Sequence, residues 1–154
     1  MNAIVEIDRE SRLAVVEPGV ITGVLQAAVE AEGLFYPPDP ASLDSCTLGG
    51  NVAENAGGPR AYRYGVTREY VLGMEVALLA GDRLQLGRRS PKGVSGYDLC
   101  SLVVGSEGTL AVVDLLTVRL LPLPEAALAA LAVFRTLEDA ARAVLALDRL
   151  GVVP

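Results

Sequence analysis

The sequence predicts an α+β fold, an antiparallel sheet flanked by helices. Three observations carry that expectation. Residues 3–7 and 13–17 (Ala-Ile-Val-Glu-Ile and Leu-Ala-Val-Val-Glu) are strand-like, with a turn-like stretch from Asp8 to Arg12 between them. Val71 to Ala80 is too continuously apolar for a surface helix and reads as a buried strand. Gly81-Asp82 turns it back into Arg83–Gly87, which alternates at period two. Residues 111–121 form a further long strand, stopped by Pro122 and Pro124.

The remaining elements follow from their punctuation. Pro18-Gly19 ends the second strand, and Thr22 is placed to cap a helix reaching about Glu32. Leu25, Ala28, Val29 and Glu32 mark its faces, and Gly33 stops it. Residues 34–47 are a long proline-bearing excursion. A short helix is expected from Gly49-Gly50, carrying Asn51 to Ala56 and aiming its first N–H groups outward as a cradle for an anion or carbonyl. Arg60 to Tyr70 holds three Arg and three Tyr and reads as irregular and partly exposed. Asp98 to Val104 reads as a short helix.

From Leu128 the pattern shifts. Residues 128–134 read as a strand, and Thr136-Leu137-Glu138-Asp139 opens a helix with an N-terminal capping signal. Its apolar stripe is Leu137, Ala140, Ala141, Val144, Leu145 and Leu147, with Arg142, Asp148 and Arg149 on the wet side and Gly151 at the end. A strand–helix unit without its return strand is unfinished. The pair Pro122–Pro124 is therefore the expected boundary, giving segments 1–124 and 125–154.

Composition narrows the function. A net charge of −6 argues against nucleic acid, which favours a basic face. The sequence has no histidine, which removes the commonest general base and metal ligand and every Ser-His or Cys-His nucleophile pair. Cys46 and Cys100 stand apart without a CxxC pattern, so no metal site is expected. They are read as two buried free thiols in a reducing, cytoplasmic setting. No signal peptide is visible after Met1, and charge breaks every apolar stretch before the ~20 residues of a membrane span.

The most telling stretch runs from Tyr36-Pro37-Pro38-Asp39-Pro40 through Thr47-Leu48-Gly49-Gly50-Asn51 to Asn55-Ala56-Gly57-Gly58. Glycine lets main chain approach a ligand because no Cβ holds the two apart. Hydroxyls, side-chain amides and main-chain N–H groups can together hold phosphate or flavin carbonyls without fixed cations. Two further segments accompany it. One is Tyr64-Gly65 leading into Val71-Leu72-Gly73-Met74-Glu75-Val76. The other is Lys92, then Gly96-Tyr97-Asp98-Leu99 and Gly105-Ser106-Glu107-Gly108-Thr109-Leu110.

In order and spacing these segments resemble the FAD-linked oxidases of the vanillyl-alcohol-oxidase type. The nearest branch is that of glycolate oxidase flavoprotein subunits and the D-lactate and D-2-hydroxyglutarate dehydrogenases. The resemblance implies FAD as cofactor, with contacts from Pro38, Asp39, Ser42, Thr47, Gly49, Gly50, Asn51, Asn55, Ala56, Gly57 and Gly58. It implies that Glu107, Gly108, Thr109 and Leu110 close over the nucleotide end of FAD; the family's following glycine is Ala111 here. Residues 1–124 then correspond to the second half of a PCMH-type FAD-binding domain. Residues 125–154 correspond to the first strand and helix of a substrate (cap) domain, with no counterpart here to the family's glycine-rich pyrophosphate loop.

The implied function is part of an FAD-dependent oxidoreductase acting on a small 2-hydroxy acid of the glycolate or D-lactate type, alongside other oxidase subunits. The chain alone is expected to be inactive, with no catalytic residue of its own. The alternative is a non-catalytic remnant or interaction module that no longer holds FAD. Either reading predicts self-association through uncovered apolar surface. Arg60, Arg63 and Arg68 form a modest cationic cluster suited to an anionic substrate or a partner subunit. Lys92 reads as a solvated loop residue, with a cation near the flavin as the alternative, and Tyr97 as an anchor whose ring packs.

Overall fold

The computed structural model describes residues 1–90, 92–93 and 95–153, in two compact units that meet at Leu123–Pro124. In the first unit, β1 (Ile4–Asp8) and β2 (Leu13–Val16) form an antiparallel pair, followed by α1 (Thr22–Glu30) and the short β3 (Leu34–Phe35). Next come α2 (Leu48–Glu54), α3 (Ala61–Tyr64), a 3₁₀ turn at Thr67–Tyr70, and the hairpin β4 (Val71–Ala77) and β5 (Arg83–Gly87). The unit ends with α4 (Leu99–Val103), β6 (Val112–Arg119) and β7 (Leu121–Pro122).

The main sheet has the order β1-β2-β6-β4-β5, every pair antiparallel, and β3 pairs with β7 in a second small sheet. The predicted α+β class with an antiparallel sheet is therefore the observed one. β6 lies between β2 and β4, with Leu116 opposite both Val16 and Met74. One sheet face supplies Ala14, Val16, Met74, Val76, Leu86, Leu116 and Val118 to the core, joined by Leu25 and Val29 of α1 and Leu48 and Val52 of α2. Each such side chain contributes roughly 1.5–3 kcal/mol by leaving water. That packed sheet is the platform on which the α2 region is held.

Several local expectations are corrected. The Thr22 side chain does not cap α1: Ile21 occupies that place, and the Thr22 hydroxyl, fully buried, turns to the Cys46 carbonyl. The Arg60–Tyr70 segment is not irregular, since it forms α3 and the 3₁₀ turn. Tyr70 is buried there with its ring edge-on to Tyr36, and its hydroxyl donates to the Tyr64 carbonyl. Tyr97, expected to pack, is 95% exposed. Cys100 is buried as expected, but Cys46 is only half-buried. Lys92 is exposed.

The second unit contains α5 (Leu137–Arg149). Thr136 caps it, accepting from the Asp139 amide at 3.1 Å. Gly151, at φ +72°, ends it, with the Val152 amide returning to the Leu147 carbonyl and the Gly151 amide to that of Asp148. Residues 128–134, expected to be a strand, belong to none. A strand exists only where a neighbour completes its ladder, and within this unit the described residues form only the helix. Pro154, the last residue of the second predicted segment, lies outside the described residues.

Candidate flavin cleft

The proline-bearing excursion is held in place by buried polar groups of α1. Gln26 donates from Nε2 to the carbonyls of Tyr36 and Pro38, at 3.0 and 2.8 Å, which fixes the chain leading into Asp39. The Asp39 carboxylate accepts from the Arg60 amide at 3.1 Å and pairs with Nε of Arg60 at 3.3 Å. It thereby ties the excursion to the loop before α3. Asp39 is thus a brace for the site, and Pro38 is buried beside it.

α2 starts at Leu48 with Thr47 as its cap. The expected outward cradle of N–H groups is not there, because the protein itself uses them. The Leu48 amide donates to the Val20 carbonyl at 2.9 Å, Gly49 to Pro18 at 2.8 Å, and Gly50 to the Thr47 hydroxyl at 3.1 Å. The helix docks against the chain before α1, and that docking consumes its free donors.

The glycines divide by what surrounds them. A Cβ on Gly49 would sit 2.7 Å from the Pro18 Cβ, and one on Gly58 would collide with the Asp39 carbonyl. Both are small because the protein's own atoms come close. Gly50 differs: it is exposed, and a Cβ there would meet only the Thr47 hydroxyl, at 3.3 Å. Its missing side chain opens onto a cleft of about 490 Å³ lined by Ser42, Thr47, Asn51, Ala56 and Gly57, together with Pro40, Cys46 and Glu54. Six of the expected contact residues are therefore gathered in one place. Among the described residues, the Gly57 and Gly58 amides make no hydrogen bond, so the donors missing from the helix start are present at this turn.

Asn51 forms part of the wall and is 97% buried (3% exposed). Its Nδ2 donates to the Thr22 hydroxyl at 2.7 Å, and the Cys46 thiol donates to the same oxygen at 3.2 Å. Sequence reasoning missed Pro40, Cys46 and Glu54 as cleft-lining residues, and Thr22 as the partner that anchors Asn51.

The second expected group lies on the other side of α2. Gly49 and Gly108 line a more apolar cleft of about 240 Å³ with Pro18, Val52, Ala53 and Ala111. Glu107 takes a left-handed φ of +52°, and its amide donates to the Ala53 carbonyl at 2.8 Å, while Gly105 donates to Val52. These bonds satisfy α2's last carbonyls and fix the loop. Glu107, Thr109 and Leu110 are exposed, and the Thr109 hydroxyl bonds back to the Ser106 carbonyl. Asn55, at φ +54°, closes α2 and accepts from the Arg68 amide.

Asp98 caps α4, and the Ser101 hydroxyl and amide hold its carboxyl below the usual carboxylate range. Burial, with the Asp98 charge nearby, raises the Cys100 thiol to about 11. Among the described residues no cluster of acidic, Cys or His side chains is set to hold a metal, and no helix is long and apolar enough to cross a membrane.

A family model described as an FAD binding domain matches residues 1–87. The chain belongs to this family. It is 49% identical to the glycolate oxidase subunit GlcD of Bacillus subtilis over 154 residues, which is all of this chain and 33% of that protein. It is 42% identical to a D-lactate dehydrogenase of Anaerostipes hadrus over 139 residues, 90% of this chain and 29% of the relative. The chain thus spans about a third of the length of these curated relatives. A solved alkyldihydroxyacetonephosphate synthase shares the fold at a TM-score of 0.83 and 24% identity, covering 100% of this chain and 27% of that one.

Proposed function

We propose that this chain forms part of an FAD-dependent oxidoreductase acting on a small 2-hydroxy acid, and that it contributes flavin contacts from the cleft beside α2. The observation that carries this reading is the opening at Gly50. Missing side-chain volume there faces a cleft bordered by hydroxyl, amide and main-chain donors, while neighbouring glycines are small for internal reasons. These groups fit a large, neutral-edged ligand with phosphates. Ser42 and Thr47 offer hydroxyls, Asn51 a side-chain amide, and Gly57 a main-chain donor, with the Gly58 amide next to it in the chain. When held there, FAD supplies the two-electron acceptor. This chain's residues bind and orient it, and Asp39–Arg60 keeps the entry loop in place. Names of relatives at 49% and 42% identity support the hydroxy-acid class.

Domain roles follow the same reading. Residues 1–124 serve the cofactor, and residues 125–154 begin the part that faces substrate. Self-association, or assembly with other oxidase subunits, is proposed through the apolar residues of the second unit. Leu128, Leu131, Val133 and Leu137 are each at least 88% exposed there.

A second reading is an interaction module without flavin. It is favoured by the internal use of the first three α2 amides. Titration of FAD into the purified chain, followed by quenching of flavin fluorescence, separates the two. Saturable binding supports the cleft, and an unquenched, colourless preparation supports the module.

A further inference from the structure

Arg68 links one turn of the proposed flavin site to the helix end that leads into the other, and it does so with three donors. Its main-chain amide donates to Oδ1 of Asn55 at 2.9 Å, at the turn leading to Gly57-Gly58. Its guanidinium donates from Nη1 to the Ser101 carbonyl at 2.6 Å and from Nη2 to the Val104 carbonyl at 2.8 Å. Ser101 and Val104 lie at the end of α4, directly before the loop carrying Glu107 and Gly108, whose amides at 105 and 107 dock on α2. A planar cation bonding two carbonyls of a helix end fixes that end in direction as well as position. No carboxylate lies within ion-pair distance of Arg68 among the described residues, so its charge is directed to these carbonyls.

We infer that Arg68 is a positioning residue that holds the Asn55–Gly58 turn and the Glu107–Leu110 turn at the separation one FAD molecule requires. This rests on the flavin reading above. A dinucleotide touching both turns gains from their fixed spacing, because its second half then binds at high effective concentration. A mononucleotide that reaches only one turn gains nothing from it. Arg68 therefore acts on the difference between FAD and its parts.

The test compares FAD, FMN and ADP affinities for the 154-residue chain and for Arg68→Ala, with melting temperatures measured alongside. Arg68→Ala should weaken FAD by about tenfold to a hundredfold, the equivalent of one hydrogen bond to a charged donor. FMN and ADP should each change by less than about threefold, a small part of that linkage gain. Arg68→Lys keeps the charge but cannot bond both carbonyls in the same geometry, so it should recover only part of the FAD loss. If Arg68→Ala melts below the assay temperature, Arg68→Lys carries the same comparison. An unchanged ratio of FAD to FMN affinity in a folded variant overturns the inference. Failure of the parent chain to bind FAD overturns the site itself, and this inference with it.

Discussion

Asn51 on α2 and Thr22 on α1 are joined by a 2.7 Å hydrogen bond in which the Asn51 amide donates to a fully buried hydroxyl. The same hydroxyl accepts a hydrogen bond from the Cys46 thiol and donates to the Cys46 carbonyl at 3.3 Å. One oxygen thus sets the orientation of a cleft wall. Thr22→Val keeps the shape but removes every one of these partners. It should destabilise the chain by about 1–3 kcal/mol, the cost of leaving buried polar groups unpaired, and weaken FAD by freeing Asn51 to turn. Thr22→Ser should restore both. Denaturant unfolding and flavin titration read the two effects, and an unchanged midpoint for Thr22→Val would remove this account.

The glycine pair separates fold from ligand. Gly49→Ala places a methyl 2.7 Å from the Pro18 Cβ in a contact that also carries the Gly49–Pro18 hydrogen bond. It should cost about 1–3 kcal/mol by overpacking. Gly50→Val projects into the cleft and should leave the melting temperature within a few degrees while abolishing FAD uptake. Flavin binding by Gly50→Val equal to that of the parent would show that the cofactor lies elsewhere.

Much of this architecture is legible locally and little of it is legible at a distance. The Thr136 cap and the Gly151 stop are written in short-range chemistry, and the chain follows them; the hairpin expected at Gly81-Asp82 also forms, but its first strand ends at Ala77 and residues 78–82 make the turn. The position of β6 between β2 and β4 is not, because nothing in residues 112–119 names their partners. The misreading of Thr22 has the same origin. Threonine before a helix suggests a cap, but tertiary partners at Cys46 and Asn51 take its hydroxyl. The amides of Leu48 and Gly49 look free in the sequence only because Val20 and Pro18 are far enough away to be invisible. Tyr97 misled in the opposite sense: an aromatic between Gly96 and Asp98 suggests an anchor, yet its ring is exposed and only its carbonyl is used, by the Leu99 amide, while Asp98 caps α4.

The two thiols should differ sharply in reactivity. Cys46 lines the cleft, whereas Cys100 is buried and its thiol is raised to about 11, first by burial and then by the Asp98 charge. At pH 8 a disulfide reagent should label Cys46 within minutes and Cys100 only on unfolding, and saturating FAD should slow the Cys46 reaction. A raised folded-state value means that the neutral thiol is favoured by the fold. Its contribution to stability is complete below pH 9 and is lost as pH rises toward about 11. Equal labelling rates for the two thiols in the folded chain would contradict this arrangement.

The 154-residue chain, supplied with FAD, should not oxidise a 2-hydroxy acid. Such a reaction needs a group to take the hydroxyl proton, and general-base catalysis is worth roughly 10²–10⁴ in rate. The sequence holds no histidine. The carboxylates near the motifs are otherwise engaged or poorly suited: Asp39 pairs with Arg60, and Asp98 caps α4 and is held in its charged form by Ser101. Glu54 borders the cleft but stands exposed at the end of α2, and Glu107 is exposed as well. The three arginines of the candidate cluster are also engaged within the chain, since Arg60 pairs with Asp39, Arg63 lies over the Tyr64 ring and Arg68 bonds the α4 carbonyls. Among the described residues lining the cleft, a substrate carboxylate therefore finds no cationic partner, and orientation worth several kcal/mol is missing together with the base. Anaerobic mixing of the FAD-loaded chain with glycolate, D-lactate or D-2-hydroxyglutarate should leave the flavin absorption unchanged over an hour. Bleaching above a protein-free control would mean that this chain carries a base and a carboxylate site of its own. Glu54→Gln would then be the first variant to make, because Glu54 is the one carboxylate among the described cleft-lining residues.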